Sequence, residues 1–139
     1  MSRARDLASN FAALDALADI QAMLTARGVG TVSESGGTPT GAIVQTATNA
    51  DGTYVRFADG TQICWGGITS SNAGQVTWTF PAAFVSTPRV QGTALATGNG
   101  RIVVYSAAGT TSADFGVYST ANALVDGIFT SVMAVGRWY

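Results

Sequence analysis

Few side chains in this 139-residue chain can do acid–base, nucleophilic or metal chemistry: eight carboxylates, one thiol and seven guanidinium groups, with no lysine and no histidine. The missing types exclude an imidazole metal site, a Ser-His-Asp triad, a lysine Schiff base and a P-loop lysine. Asp6, Asp15 and Asp19 fall in the N-terminal segment, Glu34 in a polar stretch after it, and Asp51 and Asp59 each precede a glycine. Asp-Gly is turn chemistry, because it supplies the positive φ angles of tight hairpins. Asp114 and Asp126 remain as the conceivable acid/base pair of a glycosidase, too little to assign catalysis. Asn49-Ala50-Asp51-Gly52 hints at a calcium loop but lacks the spaced oxygen ligands and the closing glutamate, so it reads as a turn. Cys64, the single cysteine, rules out an intrachain disulfide and a thiolate cluster, and reads as a buried, inert thiol. No catalytic residue, metal or cofactor is expected.

Recognition is the better-supported chemistry. Three tryptophans and four tyrosines are many for so small a chain. Around 101–105, Ile102 and Val104 share one face of a strand and Arg101, Val103 and Tyr105 the other. An outward Arg beside a Tyr suits a sugar, which takes ring stacking and charge-assisted hydrogen bonds; the same side chains suit a subunit interface equally well. Asn99 and Asn122 lie in or beside Gly/Thr/Ser clusters that read as exposed loops, where variable recognition sits. The candidate receptor-binding set is therefore Asn99, Arg101, Tyr105 and Asn122. Trp65 and Trp78 are expected in the core from their strand alternation.

Charge narrows the partners. The net charge is -1 and 11% of residues are charged, against about 25% in an average soluble domain. Such a chain has no basic field for nucleic acid. No run approaches the roughly 18 apolar residues that cross a bilayer, so no membrane insertion is expected. The first residues lack the unbroken apolar core of a secretory signal, so synthesis in a cytoplasm without a signal peptide is expected. The 47% hydrophobic content is spread over small residues, a composition suited to burying surface against further copies of the same chain.

Three segments must position these groups. Residues 1–28 predict one amphipathic helix of about seven turns, since Ala and Leu dominate and no Gly or Pro interrupts before Gly28. Leu7, Phe11, Leu14 and Ala18 form a stripe, widened by Leu17, Ile20 and Leu24. Arg27 and Gly28 predict a cation in the last turn and a left-handed cap. The stripe must be covered, either by the helix's own domain or by self-association into a short bundle. Residues 29–41, rich in Gly, Ser, Thr and Pro, predict a flexible linker, which favours the bundle and an anchoring role. Residues 42–139 change to period two, with strands expected near 42–47, 53–58, 61–68, 75–80, 88–96, 101–107, 113–118 and 127–138. Short strands at this spacing mean an antiparallel sandwich or barrel.

The run Tyr54-Val55-Arg56-Phe57-Ala58-Asp59-Gly60-Thr61-Gln62-Ile63-Cys64-Trp65 resembles the signature strand pair of C-terminal knob domains in tailed-phage fibres. The resemblance continues in Trp78-Thr79-Phe80-Pro81-Ala82-Ala83-Phe84, in Pro88-Arg89-Val90 and in Ala134-Val135-Gly136-Arg137-Trp138-Tyr139. Ser2-Arg3-Ala4-Arg5-Asp6-Leu7-Ala8 is similar to the short helix that often precedes such knobs. The resemblance implies a mainly β fold, an antiparallel β-sandwich knob preceded by the N-terminal α-helix. It also implies a homotrimer similar to the H-type lectin sandwich, and a virion structural protein on the particle surface. Its partners would be further copies of itself, other virion proteins through the helix, and a host-surface glycan or protein. Arg56 is expected to pair with Asp59 or a backbone carbonyl rather than with a ligand. A trimeric tail fibre or spike is the first reading; a capsid decoration or head-spike protein, structural or weakly adhesive, is the alternative.

Overall fold

The Ala- and Leu-rich opening forms α1 (Arg3–Gly28), with Arg27 in its last turn. The computed structural model describes residues 3–139 apart from Thr97 and Asn99, and side chains from Phe11 onward except those of Ala12, Thr25 and Ala26. Leu7 thus lies on the helix, with its side chain outside the described set. Phe11, Leu14, Leu17, Ile20, Met23 and Leu24 are all between 53% and 69% exposed. The helix does not bury these residues on its own domain. Gly28 takes no left-handed cap, a correction with a clear cause. The chain leaves the helix extended along residues 43–44: the Arg27 carbonyl accepts from Ile43 N–H at 2.7 Å, Gly30 N–H donates to the Val44 carbonyl at 2.9 Å, and Val29 bridges Val44.

The stretch after the helix is not a featureless linker. It folds into a hairpin, β1 (Glu34–Ser35) and β2 (Thr38–Pro39). Gly36 and Gly37, at φ 59° and 84°, supply the two left-handed residues that a two-residue turn demands. The Glu34 carboxylate accepts from Gly37 N–H at 2.7 Å, and Ala42 N–H donates to the Thr31 carbonyl at 3.0 Å. Val32 and Ala42, 5% and 4% exposed, are buried at its base. Because residues 42 and 43 bond back to 31 and 27, the next strand begins two residues later than the alternation suggested.

Eight further strands follow: β3 (Val44–Asn49), β4 (Gly52–Phe57), β5 (Thr61–Thr69), β6 (Val76–Thr79), β7 (Arg89–Ala94), β8 (Arg101–Ala108), β9 (Ser112–Ser119) and β10 (Phe129–Arg137). They make a five-stranded antiparallel sheet in the order β3-β4-β5-β10-β7 and a three-stranded one, β6-β9-β8. The Asp-Gly sites expected as turns are turns, with Gly52 and Gly60 at φ 138° and 91°, and the third, Asp126-Gly127, also has its glycine left-handed at φ 70°. The inner faces contribute Cys64, Ile68, Val90, Val132 and Ala134 from the larger sheet. Trp78, Ala113 and Phe115 come from the smaller sheet, with Phe80 and Phe84 from the segment after β6. Trp78 and Phe80 meet edge to face at 5.1 Å, as do Phe80 and Phe84 at 5.2 Å, the geometry that aligns a ring's positive edge with its neighbour's negative face. The fold is mainly β, antiparallel, with one N-terminal helix.

Two face assignments differ from the sequence expectation. Trp78 is in the core, but Trp65 is 42% exposed. On β5 the inward positions are Gln62, Cys64 and Ile68, and period two then forces Ile63 and Trp65 to the other side. On β8 the faces are reversed: Val103 packs on the core, while Ile102 and Val104 are 54% and 41% exposed. Register explains it, since Val103 pairs with Val117 and Tyr105 with Phe115, both inward residues of β9.

Candidate functional site

The expected receptor set divides when placed on the fold. Asn99 lies outside the described residues. Arg101 opens β8 opposite Ser119, and Asn122 sits in the turn just beyond β9, where its N–H donates to the Ser119 carbonyl at 3.0 Å. Arg101 and Asn122 therefore share one end of the three-stranded sheet. Tyr105 lies four residues along β8, about 13 Å away at the usual rise per residue. Asn122 is exposed and left-handed, with φ 59°, a conformation that asparagine tolerates better than most residues. Arg101 is half-buried; its Nη1 donates to the Gly100 carbonyl at 3.2 Å, and its buried Nε has no partner among the described residues. Tyr105 belongs to the inward face, its ring 6.5 Å from that of Phe115, yet it is 47% exposed because β8 is an edge strand. The outward Arg–Tyr face is thus corrected to an inward face that opens at the sheet edge.

Asp114, Asp59, Cys64 and Arg56 have structural partners. Asp114 accepts from the Thr77 hydroxyl at 2.6 Å across the β6–β9 ladder. The Asp59 carboxylate accepts from Thr61 N–H at 2.8 Å, and that bond holds its pKa below the ordinary carboxylate value. Burial pushes the Cys64 thiol up, away from the reactive thiolate. Arg56 does not reach Asp59. Its Nε donates to Gln62 Oε1 at 2.7 Å, and its guanidinium lies 5.2 Å from the Tyr54 ring centre and 5.5 Å from that of Trp138. Gln62, fully buried, passes the network on by donating Nε2 to the Ala82 and Ala83 carbonyls at 2.9 and 3.2 Å. The chain end closes over the β4–β5 turn: Trp138 Nε1 donates to the Phe57 carbonyl at 2.8 Å, Tyr139 Oη to that of Ala58 at 2.7 Å, and Arg137 Nη2 to that of Asp59 at 2.8 Å. Among the described residues no three Asp, Glu or Cys side chains gather as a metal site, and no helix is long and apolar enough to cross a membrane.

The outer face of the five-stranded sheet holds what the alternation argument missed. Cross-strand rows place Thr53, Trp65, Met133 and Gln91 side by side, and Gly67, Ser131 and Thr93 in the next row. A cavity of about 280 Å³ opens there, lined by Trp65, Gln91, Thr93, Ser131 and Met133 with the backbone of Gly66 and Gly92. Polarity in the sequence points the other way: Gln62 suggests an outward face for its parity of β5, yet it is buried, which leaves Trp65 on the outer side.

Fold and site together define an antiparallel β-sandwich that follows an N-terminal helix whose described apolar side chains are exposed. No family model and no curated protein matches the sequence. In three dimensions the chain is similar to a C-terminal portion of the R2 pyocin fibre of P. aeruginosa, at 21% identity and TM-score 0.55, covering 68% of this chain and 26% of that one. It is also similar to an N-truncated R1-type pyocin tail fibre, at 20% identity and TM-score 0.52, covering 68% of this chain and 85% of that one. An N-truncated R2-type fibre gives 21% identity and TM-score 0.56 over 70% of this chain and 39% of that one. The chain thus spans about a quarter of the first fibre portion, and what it shares with these phage-tail-like fibres is the fold.

Proposed function

We propose that this chain is a virion structural protein, a homotrimeric tail fibre or spike whose helix attaches it to other virion proteins and whose lectin-like knob binds a glycan or protein on the host surface. The observation that carries this reading is the knob's likeness to three pyocin tail-fibre structures. The bare apolar stripe of α1 supports self-association, because a helix of this length gains most of its stability by burying such a face. Arg101 and Asn122 at one end of the smaller sheet are the proposed receptor contacts; Asn99, two residues before Arg101 in sequence, and Tyr105, four residues after it, complete the proposed set. No catalytic role is assigned.

The test is adsorption. Purified, folded protein is added to candidate host cells, alone and in competition with phage particles. Saturable binding that blocks adsorption is the expected result. A folded trimer that binds no strain on which the phage plates would end the receptor reading and leave a structural spike.

A further inference from the structure

We infer that the outer face of the five-stranded sheet carries a binding site for an uncharged sugar ring, with Trp65 as the stacking surface and Gln91, Thr93 and Ser131 as its hydrogen-bonding rim. The inference deepens the receptor reading and rests on it, but it places the ligand about the sheet's centre rather than at the Arg101 end.

The argument starts from exposure. A large aromatic ring is normally hidden when a strand offers it a core position, yet Trp65 is 42% exposed while Trp78 is 3% exposed. Its neighbours are not an apolar continuation. Gln91, Thr93 and Ser131 are exposed, and among the described residues their side chains have no hydrogen-bond partner within the chain. They offer an amide and two hydroxyls, groups that both donate and accept. A pyranose presents the same two chemistries, an apolar face of C–H groups and an equatorial rim of hydroxyls. The flat ring takes the first and the rim takes the second, the division usual in small-molecule sites.

Shape adds a floor. Gly67 has no side chain, and the Phe129 ring leans over it so closely that a Cβ there would lie 2.4 Å from the ring. Ser131 pairs with Gly67, so Phe129 covers the Gly67 end of that row and the open floor lies over Ser131 and Thr93, beside Trp65. Charge selects the ligand class. No residue lining the cavity is ionisable, and its own polar groups suit an uncharged ligand; the nearest cation on this face, Arg89, lines the adjoining hollow beyond Gln91 and Met133.

Isothermal titration calorimetry of the full chain against methyl glycosides of glucose, galactose, mannose and N-acetylglucosamine, with galacturonate as the acidic counterpart, tests this. At least one neutral glycoside is expected to bind in the millimolar range, at least tenfold tighter than galacturonate. Trp65→Ala is expected to weaken it more than tenfold and Trp65→Phe only a few-fold, while Gln91→Ala costs about fivefold. Each variant is checked by circular dichroism and light scattering. No heat with any neutral glycoside, or equal affinity in Trp65→Ala, overturns the site. A changed oligomeric mass in Trp65→Ala also overturns it, by making this face a contact between copies. Cell binding separates the two readings. Wild-type protein that adsorbs to cells while Trp65→Ala adsorbs equally well overturns this site and leaves the receptor role standing. Wild-type protein that binds a glycoside but no cells upholds the site and ends the receptor role.

Discussion

Gln62 shows how a single polar side chain organises this sandwich. It is fully buried between the sheets and satisfied on both ends, accepting from Arg56 and donating to the Ala82 and Ala83 carbonyls. Removing it takes a partner from a guanidinium and from two carbonyls and leaves a void as well. Gln62→Ala is therefore expected to lower stability by about 3 kcal/mol in urea unfolding. The neighbouring Cys64 gives a pH prediction. Burial raises its pKa above the ordinary 9.0, so the folded state holds the thiol proton more tightly than the unfolded chain does. Its contribution is present below pH 9 and is lost as pH climbs through the raised value. Iodoacetamide at pH 8 is expected to leave Cys64 intact in folded protein and to alkylate it fully in guanidinium. At this scale the sequence disclosed the buried thiol and the buried Trp78. It misplaced Trp65 and the faces of β8, because alternation separates two faces without saying which one is inside. Apolar residues such as Ile63, Ile102 and Val104 occur on the outer side here, so hydrophobicity alone could not decide. Register with Val117 and Phe115, a long-range fact, did.

Elements were more legible than faces. Each of the eight alternating runs corresponds to a strand of the sandwich, with ends shifted by at most two residues. The last strand stops at Arg137 because Trp138 and Tyr139 bond to the β4–β5 turn instead. The long helix was readable from composition. The β1–β2 hairpin was not, because its strands are two residues each and its Gly/Ser/Thr/Pro content matches that of an unstructured tether. Its two turn glycines carry the information. Gly37 at φ 84° is a position where a β-branched residue costs about 1–2 kcal/mol. Gly37→Val is expected to raise hydrogen exchange at the Gly30 and Ala42 amides, which bond to Val44 and Thr31. Exchange at the core amides of β5 and β10 is expected to stay unchanged. Equal exchange at Gly30 and Ala42 in both proteins would mean that the hairpin does not depend on its turn.

At the scale of the whole molecule, the helix and the knob pose separate stability problems. The knob has its own core, built from both sheets, and α1 adds none of its described apolar side chains to it. Leu14, Leu17 and Leu24 are instead bare at spacings of three and seven, which are a and d positions of a short coiled-coil seam, with Phe11 bare beside it. A charge placed in such a seam is desolvated in every copy at once, so its effect multiplies with the number of helices that meet there. Leu14→Asp is accordingly expected to reduce the mass measured by light scattering from that of the assembly to that of one chain. The far-ultraviolet β signature and the unfolding midpoint of the knob should stay close to wild type. If the variant keeps the assembled mass, the copies are held by the sandwiches and not by the helix, and the outer sheet faces become the contact to map. If it loses the knob fold as well, the sandwich depends on association, and the separation of helix from knob drawn from the uncovered stripe is wrong.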